Sequence, residues 1–208
     1  MPRNAGKVTP NAVFLNIPYD QGFRSLYLAY IVGLVHLGFE PRVTLGLPDG
    51  TRRLDKILEV IQGCSYSIHD LSRVELDRKP PFATPRFNMP FELGLAVAWE
   101  KSNPKKHKLF VFEAKAFRVQ KSLSDLNGTD PLIHRGQVSG VMRELCNAFV
   151  RPTNQPTVPE MMRAYKAVYR HLAKIMAYAG AESLFEARAF RDLYFVSKGI
   201  TEKLQSHS

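Results

Sequence analysis

Asn11 to Leu45 reads NAVFLNIPYDQGFRSLYLAYIVGLVHLGFEPRVTL, and the fold is decided on this stretch. Asn11 to Ile17 is a short apolar run that ends at Pro18, the pattern of a buried strand. From Phe23 to Leu37 the apolar residues fall at Phe23, Leu26, Tyr27, Tyr30, Ile31, Leu34 and Leu37. Steps of three and four predict one apolar helical face, and Gly38 is a natural stop. Pro41 to Leu45 predicts the second strand. Strand, helix, strand is the opening of a parallel sheet.

The same alternation continues outward. Arg52 to Ile61 predicts a helix through Leu54, Ile57, Leu58 and Ile61, closed by Gly63. Cys64 to Asp70 (CSYSIHD) predicts a third strand and Lys108 to Glu113 (KLFVFE) a fourth. Leu132 to His134 predicts a short fifth strand, and Val138 to Phe149 a helix. Between the third and fourth strands, Val74 to Asn88 contains Pro80, Pro81 and Pro85, which exclude a helix or a central strand. A loop of this length inside a compact domain is usually functional or mobile. A helix follows from about Pro90 to Lys101, since proline fits a first turn. Residues 1–150 thus predict an α/β domain, a flavodoxin-like (Rossmann-like) parallel sheet flanked by helices.

Pro152, Pro156 and Pro159 mark a boundary, and 151–208 predicts a C-terminal helical extension. Met161, Tyr165, Val168, Leu172 and Ile175 recur at steps of four and three, a stripe suited to packing on another helix. Leu184 to Leu204 predicts a second helix. Two helices cannot bury a core alone, so they pack on the α/β domain or on a second copy, which would make a homo-oligomer through 157–204.

Composition narrows the class. Of 208 residues, 45% are hydrophobic and 23% charged, which excludes global disorder and fibrous classes. Leu28 to Val35 is far short of the ~20 residues that span a bilayer. The apolar run near the N-terminus, Ala12 to Leu15, is too short for a secretory signal, so the expected location is cytoplasmic, with no membrane partner. Cys64 and Cys146 give neither a disulfide framework nor a zinc site, and read as buried thiols. The net charge of +10 suggests polyanionic partners. The surplus is dispersed, with nine basic and five acidic residues in 151–208. Specific nucleic-acid binding is therefore not expected. The densest cluster, Lys101, Lys105, Lys106, His107 and Lys108, reads as a solvated turn.

In open parallel sheets ligands bind beyond the carboxyl ends of the strands. That rim gathers Asn16, Tyr19 and Asp20 after the first strand and Gly46 to Gly50 after the second. His69, Asp70, Ser72 and Arg73 follow the third strand, and Glu113 the fourth. Asn88 and Glu92 come from the start of the helix after the long loop. That helix opens as Asn88-Met-Pro-Phe-Glu92-Leu-Gly94-Leu-Ala96. Glu92 in a first turn would be favoured by the helix dipole, so a plain capping role stands beside a chemical one. Asp70 is open to the same pair of readings, a strand-end cap or an acid at a site. Arg24, Arg52, Arg53 and Arg73 could meet phosphates. His69 and His134 are candidate bases or ligands, but no spacing supports a metal, and none is expected.

The segment Ile68 to Ala96, IHDLS, a loop, then NMPFELGLA, resembles nucleoside 2-deoxyribosyltransferases. In that family a strand ends in an acidic residue and a later helix opens with Glu-Leu-Gly-x-Ala. Val13 to Phe39 is similar both to that family's first strand and helix and to TIR domains. The resemblance covers residues 11 to 149. It implies that Glu92 is a nucleophile at the anomeric carbon and that Asp70 is the strand-end acid. It also places Tyr19 and Asp20 at the first-strand lip that borders the nucleotide; Asn16, His69, Ser72, Arg73 and Asn88, at the same rim by their place in the sheet, are the further candidates for substrate binding. The implied activity is that of a nucleotide N-glycosidase, with NAD or a related nucleotide as substrate and no cofactor. The alternatives are a non-catalytic nucleotide sensor that signals through protein partners, and a weak nucleic-acid-binding protein. The family's short Gly-Thr turn before the glutamate is replaced here by the proline-containing loop.

Overall fold

The computed structural model describes residues 8–45, 53–74, 76–77, 84–126 and 129–206. Gly46 to Gly50, Arg52, Pro80 and Pro81 lie outside the described residues. The strands are β1 (Thr9–Asn16), β2 (Glu40–Arg42), β3 (Cys64–Asp70), β4 (Leu76–Asp77), β5 (Thr84–Pro85), β6 (Lys108–Glu113) and β7 (Leu132–Ile133). The helices are α1 (Arg24–His36), α2 (Arg53–Gly63), α3 (Asn88–Ser102), α4 (Arg118–Ser122), α5 (Val138–Ala148), α6 (Val158–Ala179) and α7 (Ala187–Gln205).

Five strands form one sheet in the order β2-β1-β3-β6-β7. β1 pairs parallel with β3, β3 with β6, and β6 with β7. This is the doubly wound order of a flavodoxin-like α/β fold, with its switch point between β1 and β3. β4 and β5 make a small antiparallel ladder inside the long loop, apart from the main sheet, where prolines that exclude a helix or a central strand are tolerated. Two-residue strands leave no periodicity to read.

By its internal contacts the chain divides into two units. One contains residues 1–18 and 42–136, the other 19–41 and 137–208. The grouping differs from a boundary near residue 150, because α1 and α5 join the C-terminal helices. In the first unit, α2 and α3 pack on the sheet. Ala12 and Phe14 of β1 meet Ile57, Ile61, Cys64 and Ala96 in one apolar cluster. Leu71, Met89, Leu93, Val111 and Val119 form another. These side chains supply the area term that holds the sheet.

In the second unit α1 is buried on every side. Its residues Leu26 to His36 are all buried, so the single face expected from the spacing is a whole-surface burial instead. α1 packs on α5, α6 and α7. Gly33 permits this approach. A Cβ there would lie 2.6 Å from Leu145 Cδ1 and 3.0 Å from Met142 Sδ. The stripe Met161, Tyr165, Val168, Leu172 and Ile175 of α6 is buried as expected, within the chain. Thr157 and Glu160 form a capping box at the start of α6, and Gly180 at φ 57° ends it. No helix among the described residues is long and apolar enough to cross a membrane.

A candidate active site at the sheet switch point

The rim of the first unit is organised by where α3 begins. The helix starts at Asn88, two residues before Pro90. Proline is tolerated there because the first four N–H groups of a helix have no partner within it. Glu92 is therefore the fifth residue, not a first-turn acid. The capping role open to it in the sequence is removed.

Met89, Glu92, Leu93 and Ala96 are the buried residues of α3. Their spacing is that of one helical stripe, so Glu92 occupies a position built for an apolar side chain. It is 6% exposed. It has no hydrogen-bond partner among the described residues. Burial lifts its pKa from 4.5 to about 7, and the Arg53 guanidinium opposes that rise. A carboxyl that titrates near neutrality can accept or deliver charge on demand.

Below it runs a chain of hydrogen bonds whose direction follows from one carbonyl. His107 Nδ1 lies 2.8 Å from the Cys64 oxygen, which only accepts, so this nitrogen carries the proton. Its Nε2 then accepts from Ser67 Oγ at 2.9 Å. Ser67 Oγ in turn accepts from His69 Nε2 at 3.1 Å. His69 Nδ1 is left as an acceptor, and Asn16 Nδ2 donates to it at 3.0 Å. The same Asn16 nitrogen donates to the Met89 carbonyl at 3.0 Å. Both imidazoles are thereby neutral. Burial pushes the His69 pKa down to about 3, with His107 adding in the same direction. Burial also lowers that of His107. The sequence had placed His107 in a solvated turn; it is buried instead, at the foot of this network.

A separate knot closes the end of β3. Asp70 Oδ1 accepts the Ser72 N–H at 2.8 Å, and Oδ2 lies 3.1 Å from His134 Nε2. The Gly136 N–H donates to His134 Nδ1 at 3.0 Å, so Nε2 is the protonated nitrogen. Ser72 Oγ also meets that Nε2, at 3.0 Å. Serine, histidine and aspartate thus come together without forming a catalytic triad. Asp and Ser share one ring nitrogen, and the other is occupied by a backbone N–H, so no lone pair faces the hydroxyl. At the next strand end, Glu113 is held by Arg118 and by the N–H groups of Ala114 and Lys115.

The residues expected at the rim therefore divide. Glu92 is the acid without hydrogen-bond partners among the described residues. Asn16, His69, Asp70 and Ser72 are buried and engaged with one another or with backbone, so they hold the site's frame. Arg73 is half-buried and Asn88 exposed. Tyr19 and Asp20 belong to the other unit, where the Tyr19 ring packs edge-on to Tyr27 and against Phe185. Phe87 and Phe91, outside the residues expected to line the site, are 69% and 56% exposed one turn apart at the start of α3. Among the described residues no three His, Cys, Asp or Glu side chains gather closely enough to share a metal ion. No protein-family model, curated protein or solved structure matches the chain.

Proposed function

We propose that the chain is a nucleotide N-glycosidase, related to the TIR-like and nucleoside 2-deoxyribosyltransferase-like proteins it resembles, with Glu92 acting on the anomeric carbon. One observation carries this reading. A carboxyl without hydrogen-bond partners among the described residues sits on the apolar stripe of α3, near the switch point, with its pKa lifted to about 7. Such a group costs stability, and a site that needs a poised carboxylate accounts for its presence.

The engagement of Asp70 narrows the substrate. Neutral nucleosides need an acid to protonate the departing base. A pyridinium nucleotide such as NAD does not, because the base takes the bond's electron pair and leaves uncharged. Glu92 captures or shields the oxocarbenium-like carbon. Water then delivers oxygen to that carbon and a proton to solvent, restoring the carboxylate. Phe87 and Phe91 offer stacking faces beside the base.

The same engagement supports one second reading, a nucleotide sensor that binds without cleaving. The deciding assay is nicotinamide release from NAD, and base release from neutral nucleosides, by concentrated wild-type protein. Release from NAD above release from the nucleosides supports the glycosidase. No release from any substrate, with NAD bound, establishes the sensor in its place.

A further inference from the structure

We propose that the helical unit has a binding site of its own, a cavity of about 740 Å3 that takes a phosphate-bearing small molecule between the guanidiniums of Arg151 and Arg163. Its wall is assembled from four places in the chain: His36 at the end of α1, Arg151 and Asn154 after α5, Glu160 and Arg163 in the first turns of α6, and Gln205 at the end of α7.

The two cations share the wall with one acid, Glu160. Arg151 has no carboxylate partner among the described residues. Its guanidinium lies over Gly38, where a Cβ would come 3.1 Å from Nη2 and where φ is 75°. Glycine at 38 thus turns the chain and leaves room for the arginine. Arg163 stands 3.8 Å from Glu160, beyond hydrogen-bond reach. The Oε2 atom of Glu160 is already taken by the Thr157 N–H and hydroxyl. Two arginines against one acid leave a net positive wall, and the guanidinium fork fits phosphate oxygens.

A buried imidazole stands in the same wall. His36 is 5% exposed, and its Nδ1 is buried with no partner among the described residues. Burial lowers its pKa; Glu160 opposes that shift, while Arg151 and Arg163 reinforce it. The volume lies within the ~300–1,000 Å3 of small-molecule sites and well above a bare phosphate. The amides of Asn154 and Gln205 can read hydroxyl groups around the anion.

The test is calorimetric titration of the full chain with inorganic phosphate, ribose 5-phosphate and a short single-stranded oligonucleotide at about 0.15 M salt. Saturable binding of ribose 5-phosphate, stronger than that of phosphate, is expected. Arg151→Gln and Arg163→Gln should each weaken it about tenfold or more, while Arg170→Gln, two turns further along α6 and outside this cavity, should not. Melting curves check that each variant folds. Arg163 is 63% exposed, so its variant decides the matter even if Arg151→Gln does not fold. Absence of saturable binding by either phosphate, binding by the oligonucleotide alone, or Arg163→Gln binding as tightly as wild type would overturn the proposal.

Discussion

Asn16 Nδ2 lies 3.0 Å from the carbonyl oxygen of Met89, one helical turn before Glu92. The last residue of β1 is thereby tied to the helix that carries the poised carboxyl. The other contact of that amide, to His69 Nδ1, ties it to β3 as well. Asn16 and His69 are register partners across the switch point, so strand pairing and helix placement share one side chain.

Asn16→Ala should therefore act as a loss of positioning. It leaves a buried imidazole nitrogen without its donor, at a cost of about 1–3 kcal/mol. Base release should fall roughly tenfold through displacement of Glu92. The pH at which activity rises should stay where it is in wild type, because Glu92 itself is untouched. Asn16→Ala with wild-type melting temperature and rate would show that the tie does not set the site.

Glu92→Gln keeps the shape and removes the charge. Base release should fall by two or more orders of magnitude, equivalent to about 3 kcal/mol of lost transition-state stabilisation. In wild type, kcat/KM should rise with pH around 7 as the carboxyl ionises. Arg53→Gln removes the cation that holds that pKa down and should move the rise to higher pH. A pH profile flat from 5 to 9, or a Glu92→Gln variant as fast as wild type, would remove Glu92 from the chemistry.

The same substitution carries a stability signature of opposite sign. The folded pKa of Glu92 is raised, so the folded state holds its proton more tightly than the unfolded chain does. Its effect is therefore most favourable below pH 4.5, and stability declines as pH rises from there to about 7. At about 1.4 kcal/mol per pH unit, this interval corresponds to roughly 3 kcal/mol. Glu92→Gln should melt higher than wild type at pH 8 and show little difference at pH 4. An inactive variant that is also the more stable one cannot owe its inactivity to misfolding. Equal melting temperatures at pH 8 would mean that Glu92 is better solvated than its burial implies.

The strands at the heart of the sheet were legible because their chemistry is local. Cys64 to Asp70 and Lys108 to Glu113 form as their apolar runs predict. The second strand stops at Arg42, earlier than Leu45. The site was legible only in part. Pro90 suggested a helix start and so a first-turn Glu92, but a helix can begin two residues before a proline, and that shift moves Glu92 out of capping range. The wire from Asn16 to His107 joins residues far apart in the chain, and only the register of β1, β3 and β6 brings them within bonding distance. Tyr19 is one residue past the first unit, and its ring finds Tyr27 and Phe185. No short-range pattern announces such a choice.

That buried wire makes acid sensitivity the last expectation. His69 has a folded pKa near 3 against an ordinary 6.5, and His107 is lowered too. Folding therefore excludes their protons, and the stability they contribute is full above about pH 6.5. It is lost progressively as pH falls toward 3, because protonating His69 sets a donor against the Asn16 N–H. This trend opposes that of Glu92, and it continues below pH 4.5, where the carboxyl no longer changes charge. His69→Leu removes the titration but takes one of two hydrogen-bond partners from the Ser67 hydroxyl and one from the Asn16 amide, at a cost of about 1–3 kcal/mol. The variant should be less stable than wild type at pH 7, and the gap should narrow as pH falls from 6.5 to 4. Chemical denaturation of both proteins at four pH values across that range measures it. A gap that stays constant would mean that the two histidines do not exclude protons as the chain from the Cys64 carbonyl requires.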